Sequence, residues 1–250
     1  MKARRLTGLI AAVFVVSVSS AGWGITYSTH YDCTPGRTTA LVITNASDYT
    51  LEEGYVLRLY GPDGRLLQEV SGGLTEYEST VLLLNEIVEP ADATCWGLAQ
   101  VESSLLLVLG TWIGEADHWV AVINTGTSLL QSGASGAMVY WYSLNFANTE
   151  NRRTGIELLN PHTEAVAGAV DLYDALGKHL ASEEFELEPH QADYFSPEAT
   201  FPIADTMWGI VDLRAAKPLL MVGEYFDADG ALFDVDIADA PYYLQFPPEE

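Results

Sequence analysis

Positive charge is scarce in this 250-residue chain: 11 Lys and Arg stand against 35 Asp and Glu, a formal net charge of −24. A surface of that sign repels nucleic acid and anionic membranes and favours solubility, cations or basic partners. Cysteine is nearly absent, with only Cys33 and Cys95. Two cysteines without an accompanying Cys or His ligand pattern exclude a structural zinc cluster of the usual kind. Catalytic signatures are missing as well. There is no Gly-x-Ser-x-Gly elbow, and the nearest run, Gly133-Ala-Ser-Gly136, has the wrong spacing. His-Glu-x-x-His, the phosphate-binding loop and Gly-x-Gly-x-x-Gly do not occur. The five histidines, His30, His118, His162, His179 and His190, show no paired spacing, which favours surface or satisfied roles over metal binding.

Long apolar runs are also lacking beyond the N-terminus. There, Lys2, Arg4 and Arg5 precede an apolar stretch from Leu6 to Val18 and the small residues Ser19-Ser20-Ala21. This is the layout of a secretory signal peptide over residues 1–21, and the apolar stretch is shorter than the roughly 20 residues of a membrane span. The expectation is an exported protein, periplasmic or extracellular, with no membrane insertion after cleavage. Removing the three basic residues leaves 8 Lys and Arg against 35 Asp and Glu, a net charge of −27. In an oxidising compartment Cys33 and Cys95 suggest one disulfide, worth about 4 kcal/mol in the chain-entropy model.

What the chain does contain is a repeat at an offset of 112 to 115 residues. Tyr27-Ser28 returns as Tyr142-Ser143, Ala40-Leu-Val-Ile-Thr-Asn45 as Gly155-Ile-Glu-Leu-Leu-Asn160, and Leu57-Arg-Leu-Tyr60 as Val170-Asp-Leu-Tyr173. Trp96-Gly97 returns as Trp208-Gly209, and the run ending at Gly110 as Pro218-Leu-Leu-Met-Val-Gly223. A drifting offset is what small loop insertions produce.

Within each copy the pattern is alternation. Leu57 and Leu59 flank Arg58, Val170 and Leu172 flank Asp171, and Phe185 and Leu187 sit among Glu184, Glu186 and Glu188. Such period-2 sequences are strands with one buried face. Turn signals separate them: Gly61-Pro-Asp-Gly64, Asp174-Ala-Leu-Gly177 and Asp227-Ala-Asp-Gly230. The predicted fold is all-β: two tandem antiparallel β-sandwiches of about 110 residues, 22–130 and 138–250, joined by a small polar linker at 131–137. Eight strands are expected in each copy, and Trp96 and Trp208, at matched positions, are assigned to the cores.

The Asn-ended strand (Asn45, Asn160), the Leu-x-Leu-Tyr strand with its Asp/Gly turn and the small-residue strand leading into Pro-Leu-Leu-Met-Val-Gly resemble the β-sandwich of sensory-rhodopsin-transducer-like proteins. They are also similar to repeat modules of uncharacterised bacterial secreted proteins. The resemblance implies a sandwich with a binding or assembly role. This chain differs in being exported and doubled, so signalling to a cytosolic partner does not carry over and no functional residue transfers.

Three groups are candidate sites. Glu224, Asp227, Asp229, Asp234 and Asp236, with Asp239 beyond them, offer hard oxygen ligands that could hold Ca²⁺, although Asp-Gly also closes hairpins. Trp141 falls on the face opposite Tyr140, Tyr142 and Phe146; with Tyr242 and Tyr243 it could stack on a sugar or partner, or pack between the two copies. A carboxylate pair such as Glu224 with Asp234 is what an enzyme would need. Asn45-Ala-Ser47 matches a glycosylation sequon, but Asn160 holds the same place without one, so a strand-end cap explains both. Because everything the copies share is framework, the sequence points to a non-catalytic exported protein with a structural, adhesive or assembly role at the cell envelope. Its partner would be an envelope protein, a glycan or a second copy. The alternative is a carbohydrate- or calcium-binding module.

Overall fold

The computed structural model describes residues 25–88, 95–104, 107–115, 118–125, 138–203, 207–238 and 242–245. The expected signal peptide and linker lie outside these residues. In the first half the strands are β1 (Ile25–Asp32), β2 (Arg37–Asn45), β3 (Leu51–Tyr60), β4 (Leu66–Leu74), β5 (Ser79–Leu83), β6 (Trp96–Ser103), β7 (Leu107–Glu115) and β8 (His118–Thr125), with one helical turn, α1 (Leu84–Ile87). The second half has β9 (Met138–Asn148), β10 (Arg152–Leu159), β11 (Val166–Asp174), β12 (His179–Leu187), β13 (Ala192–Phe195), β14 (Met207–Ala215), β15 (Leu220–Asp227), β16 (Leu232–Ile237) and β17 (Tyr242–Gln245), with the turn α2 (Pro197–Thr200). Each half contains two antiparallel sheets. Their orders are β1-β6-β3-β4 and β5-β2-β7-β8 in the first half, and β12-β11-β14-β9-β17 and β13-β10-β15-β16 in the second. The serial pattern is the same in both, with β17 added at the edge.

The strands form where period-2 patterning gives one face a core to enter. Tyr27, Tyr31, Leu41, Ile43, Leu57, Leu59, Val101 and Leu109 fill the first core, and Tyr142, Phe146, Ile156, Leu158, Val170, Leu172, Val211 and Met221 fill the second. Each draws on both sheets of its own half. Framework contacts are duplicated too. The backbone N–H of Leu107 donates to the Tyr27 hydroxyl at 2.8 Å, and that of Leu219 to the Tyr142 hydroxyl at 3.0 Å. Asn45 and Asn160 are fully buried at their strand ends. Asn45 donates to the carbonyls of Tyr49 and Thr75, Asn160 to those of Glu164, Leu187 and Glu188. The capping reading of both asparagines therefore holds.

The turns fall where the sequence places them: Gly64, Gly177 and Gly230 adopt positive φ of 75°, 77° and 83°. The repeated Trp-Gly pair also has a geometric reason. A Cβ on Gly209 would stand 1.9 Å from the carbonyl oxygen of Tyr173, and one on Gly97 2.4 Å from that of Tyr60, so only glycine admits the neighbouring strand.

One landmark needs correcting. Val42 lies opposite Gly110 across β2 and β7, whereas its twin Glu157 lies opposite Val222 across β10 and β15. Gly110 is therefore equivalent to Val222, not Gly223, and the twin of Glu224 is Trp112. Pro218 to Gly223 is apolar throughout and offers no alternation to fix its register, and a slip of one residue exchanges the two faces of a strand.

Candidate functional site

The alternation that fills the cores sends the intervening residues to the outer faces, and two of those faces meet. From the first half comes the outer face of β1-β6-β3-β4, with Ser28, His30 and Asp32 on β1 and Leu98 and Gln100 on β6. From the second comes the outer face of β13-β10-β15-β16, with Glu157 and Leu159 on β10 and Val222 and Glu224 on β15. Tyr60, Leu98, Ile113, Leu159, Ala192, Val222, Leu232 and Val235 form a third apolar cluster drawn from both halves. Hydrogen bonds cross at the rim. Gln100 donates to the Pro161 carbonyl at 2.7 Å, Leu232 N–H to Glu115 at 2.8 Å and Ala192 N–H to the Pro62 carbonyl at 3.1 Å. The Tyr60 and His190 rings stack at 4.2 Å.

Inside this seam lies a buried charged cluster. His30 Nδ1 is 2.7 Å from Glu157 Oε2, and both side chains are sealed from solvent. By distance this is a buried ion pair. Nε2 of His30 has no hydrogen-bond partner. Arg37 Nη1 donates to Asp32 and, at 2.9 Å, to Glu224 Oε1, and the guanidinium lies 5.4 Å over the Phe226 ring. Burial alone would lower the His30 pKa, yet the charges of Glu157, Glu224 and Asp32 lift it to about 9. Burial and then the charge of Glu157 push Glu224 up to about 7, against the opposing pull of Arg37 and His30.

The candidates from the sequence are separated by this arrangement. Glu224 belongs to the seam. Asp227 closes its hairpin by accepting the N–H groups of Asp229 and Ala231, both at 2.9 Å. Asp234 and Asp236 are exposed on the side of β16 opposite Val235, the residue that faces Glu224 across the ladder. Glu224 and Asp234 therefore do not form a facing pair. Trp141 is half-buried on the outer face of the other sheet, and the seam's apolar cluster, among the described residues, contains nothing from that sheet. β17 places Tyr242 opposite Trp141 and Tyr243 opposite Tyr140 along the backbone, so by strand alternation Tyr242 shares a face with Trp141 and Tyr243 does not.

Two other expectations change. Trp96 is partly buried at the seam, and its twin Trp208 is 60% exposed rather than in a core; after the strand register is set, both fall on outer faces. Cys33 and Cys95 are present as two buried thiols rather than as the expected disulfide. They are adjacent, with Cys33 N–H donating to the Cys95 carbonyl at 2.7 Å. Burial, reinforced by Cys95, pushes the Cys33 thiol up to about 12.

His30 and Glu157 escaped the sequence reading because they lie in different copies. The signal was there in another form: each is an ionisable residue in a strand whose twin has a neutral one, Asn145 for His30 and Val42 for Glu157.

No family model matches the sequence, and no curated protein matches it. Overlays were found on a glycosyl hydrolase family 2 member from Bacteroides cellulosilyticus (10% identity, 88% of this chain, 28% of that one, TM-score 0.17) and a putative beta-galactosidase from Bacteroides fragilis (10%, 88%, 32%, 0.16). A third is Bacteroides uniformis beta-glucuronidase 2 (12%, 88%, 26%, 0.18). The chain spans about a quarter to a third of their length, and at these TM-scores the overlays carry no argument about function.

Proposed function

We propose that this is a non-catalytic, exported assembly protein whose copies join head to tail at the cell envelope, repeating between molecules the contact that each makes between its own sandwiches. The observation that carries this reading is that both faces of the seam recur at other surfaces of the chain, where among the described residues no sheet is packed on them. The sheet β12-β11-β14-β9 has the strand order of the first seam face, and β5-β2-β7-β8 that of the second. At the seam Leu98 is fully buried; its twin Ile210 is 42% exposed, beside Trp208. On the other recurring face Trp112 and Trp119 are 39% and 48% exposed and touch edge to face at 6.4 Å, near the exposed Val81 and Val108. Apolar and aromatic side chains gathered in the open mark an interaction surface.

Such a contact joins two different patches, so it builds rings or filaments rather than closed pairs. The acidic surface opposes it, and salt relieves that repulsion. A non-catalytic role fits the sealing of His30, Glu157 and Glu224 away from any substrate. The test is the mass of the mature protein by light scattering against concentration and ionic strength. Growth beyond the monomer, strengthened by salt and reduced by Trp208→Asp or by Trp112→Asp, is expected; a strict monomer under every condition overturns the reading.

A second reading, a sugar stacking on Trp141, is favoured by the register that sets Tyr242 opposite it. A glycan array signal lost in Trp141→Ala would support it, and a silent array would remove it.

A further inference from the structure

We propose that His30, Glu157 and Glu224 are the protein ligands of a divalent transition-metal ion of the zinc type, held in the seam and tying the two sandwiches together. The three residues come from β1, β10 and β15, and so from both halves. One imidazole nitrogen and two carboxylate oxygens lie within 4.8 Å of one another. Bonds of about 2.0–2.2 Å to a shared centre need only small movements from that spacing. All three side chains are buried. Buried polar atoms are almost always partnered, yet Nε2 of His30 has no partner, while Nδ1 faces the Glu157 carboxylate at 2.7 Å. Arg37 holds Oε1 of Glu224 at 2.9 Å, which fixes that carboxylate in the cluster.

Charge points the same way. A metal ion takes the place of the proton that His30 holds in the metal-free protein: with the imidazole neutral and the carboxylates ionised, Asp32, Glu157 and Glu224 face Arg37, an excess of two negative charges in a place where uncompensated charge is costly. A dication balances it. The donor set selects among dications: an imidazole with two carboxylates suits zinc or cobalt, whereas calcium takes six to eight oxygens. The twin positions Asn145, Val42 and Trp112 offer no comparable set, so among the described residues the site belongs to the contact between the copies. This inference is independent of assembly between molecules.

Because the seam is sealed, the ion has to be present as the sandwiches close. The chain is refolded from chelator with Zn²⁺, or with Co²⁺ as a spectroscopic probe, dialysed and analysed for metal content. One ion per chain is expected, with visible Co²⁺ absorption. Retention should be at least tenfold weaker in Glu157→Gln and His30→Gln, and unchanged when Asp234 and Asp236 are both replaced by Asn. Undiminished retention in Glu157→Gln, loss in the Asp234 and Asp236 variant instead, or a folded wild type that keeps neither ion overturns the assignment. Stoichiometric Ca²⁺ without Zn²⁺ also overturns it. If Glu157→Gln does not fold, the wild type decides: a thermal midpoint raised by Zn²⁺ and not by equal Ca²⁺ supports the site, and equal midpoints overturn it.

Discussion

At the strand-end asparagines the two halves are interchangeable. Asn45 and Asn160 sit at the same point of the same strand, and both tie down backbone carbonyls of the following loops. At the outer faces the halves part: the second copy has Glu157 and Glu224 where the first has Val42 and Trp112, and the first has His30 where the second has Asn145. Residues that close a copy's own core have stayed alike, while residues that meet the other copy have become complementary. A duplicated fold thus gains chemistry at the contact between copies, where the two sequences were free to differ.

Breaking the complementarity should give the largest effect. Glu157→Ala removes one partner of a buried charged group and should cost about 3–5 kcal/mol, whereas Val42→Ala at the twin position should cost about 1 kcal/mol. Denaturant unfolding of both variants checks the contrast.

Titration sharpens the same comparison without mutation. In the metal-free protein His30 is raised from 6.5 to about 9, facing Glu157, Glu224 and Asp32, and Glu224 from 4.5 to about 7, facing Glu157, Arg37, His30, Asp32 and Tyr194. Each group holds its proton more tightly when folded. Its contribution is therefore complete below the unfolded pKa and fades as pH rises, through about 4.5–7 for Glu224 and 6.5–9 for His30. The thermal midpoint should fall across that range, and His30→Gln should flatten its upper part.

The framework twins should respond alike. Asn160→Ala leaves three carbonyls without its amide and Asn45→Ala leaves two. Costs of about 1–3 kcal/mol are expected, with Asn160 the larger. The smallest effects belong to Tyr27→Phe and Tyr142→Phe, each losing one hydroxyl acceptor, at about 1 kcal/mol and equal within error. Chemical denaturation measures all four, and unequal tyrosine effects would mean that the two cores are not energetic twins.

Most of the fold could be read from the sequence because its causes are local. Leu57, Leu59, Val170 and Leu172 alternate with polar residues, and Gly64, Gly177 and Gly230 mark the reversals. The register of β15 could not, since its apolar run carries no alternation, and the error hid the equivalence of Trp112 with Glu224. Trp208 reads as core only because it matches Trp96, and a shared position does not say which face a strand residue takes. β17 is four residues long and follows no pattern of its own. The charged seam was least legible. His30 and Glu157 are joined only by the packing of two faces, and no spacing along the chain encodes that contact, although a glutamate inside Gly155-Ile-Glu-Leu-Leu-Asn160 already departs from its apolar twin.

The claim that the seam's faces are reused between molecules is tested most directly by sedimentation of an equimolar mixture of Trp112→Asp and Trp208→Asp chains at high salt. Each variant alone should remain monomeric, and the mixture should form a discrete dimer, because one intact face survives on each chain and only unlike chains fit. Dimers formed by either variant alone, or a mixture that stays monomeric while the wild type associates, would contradict it.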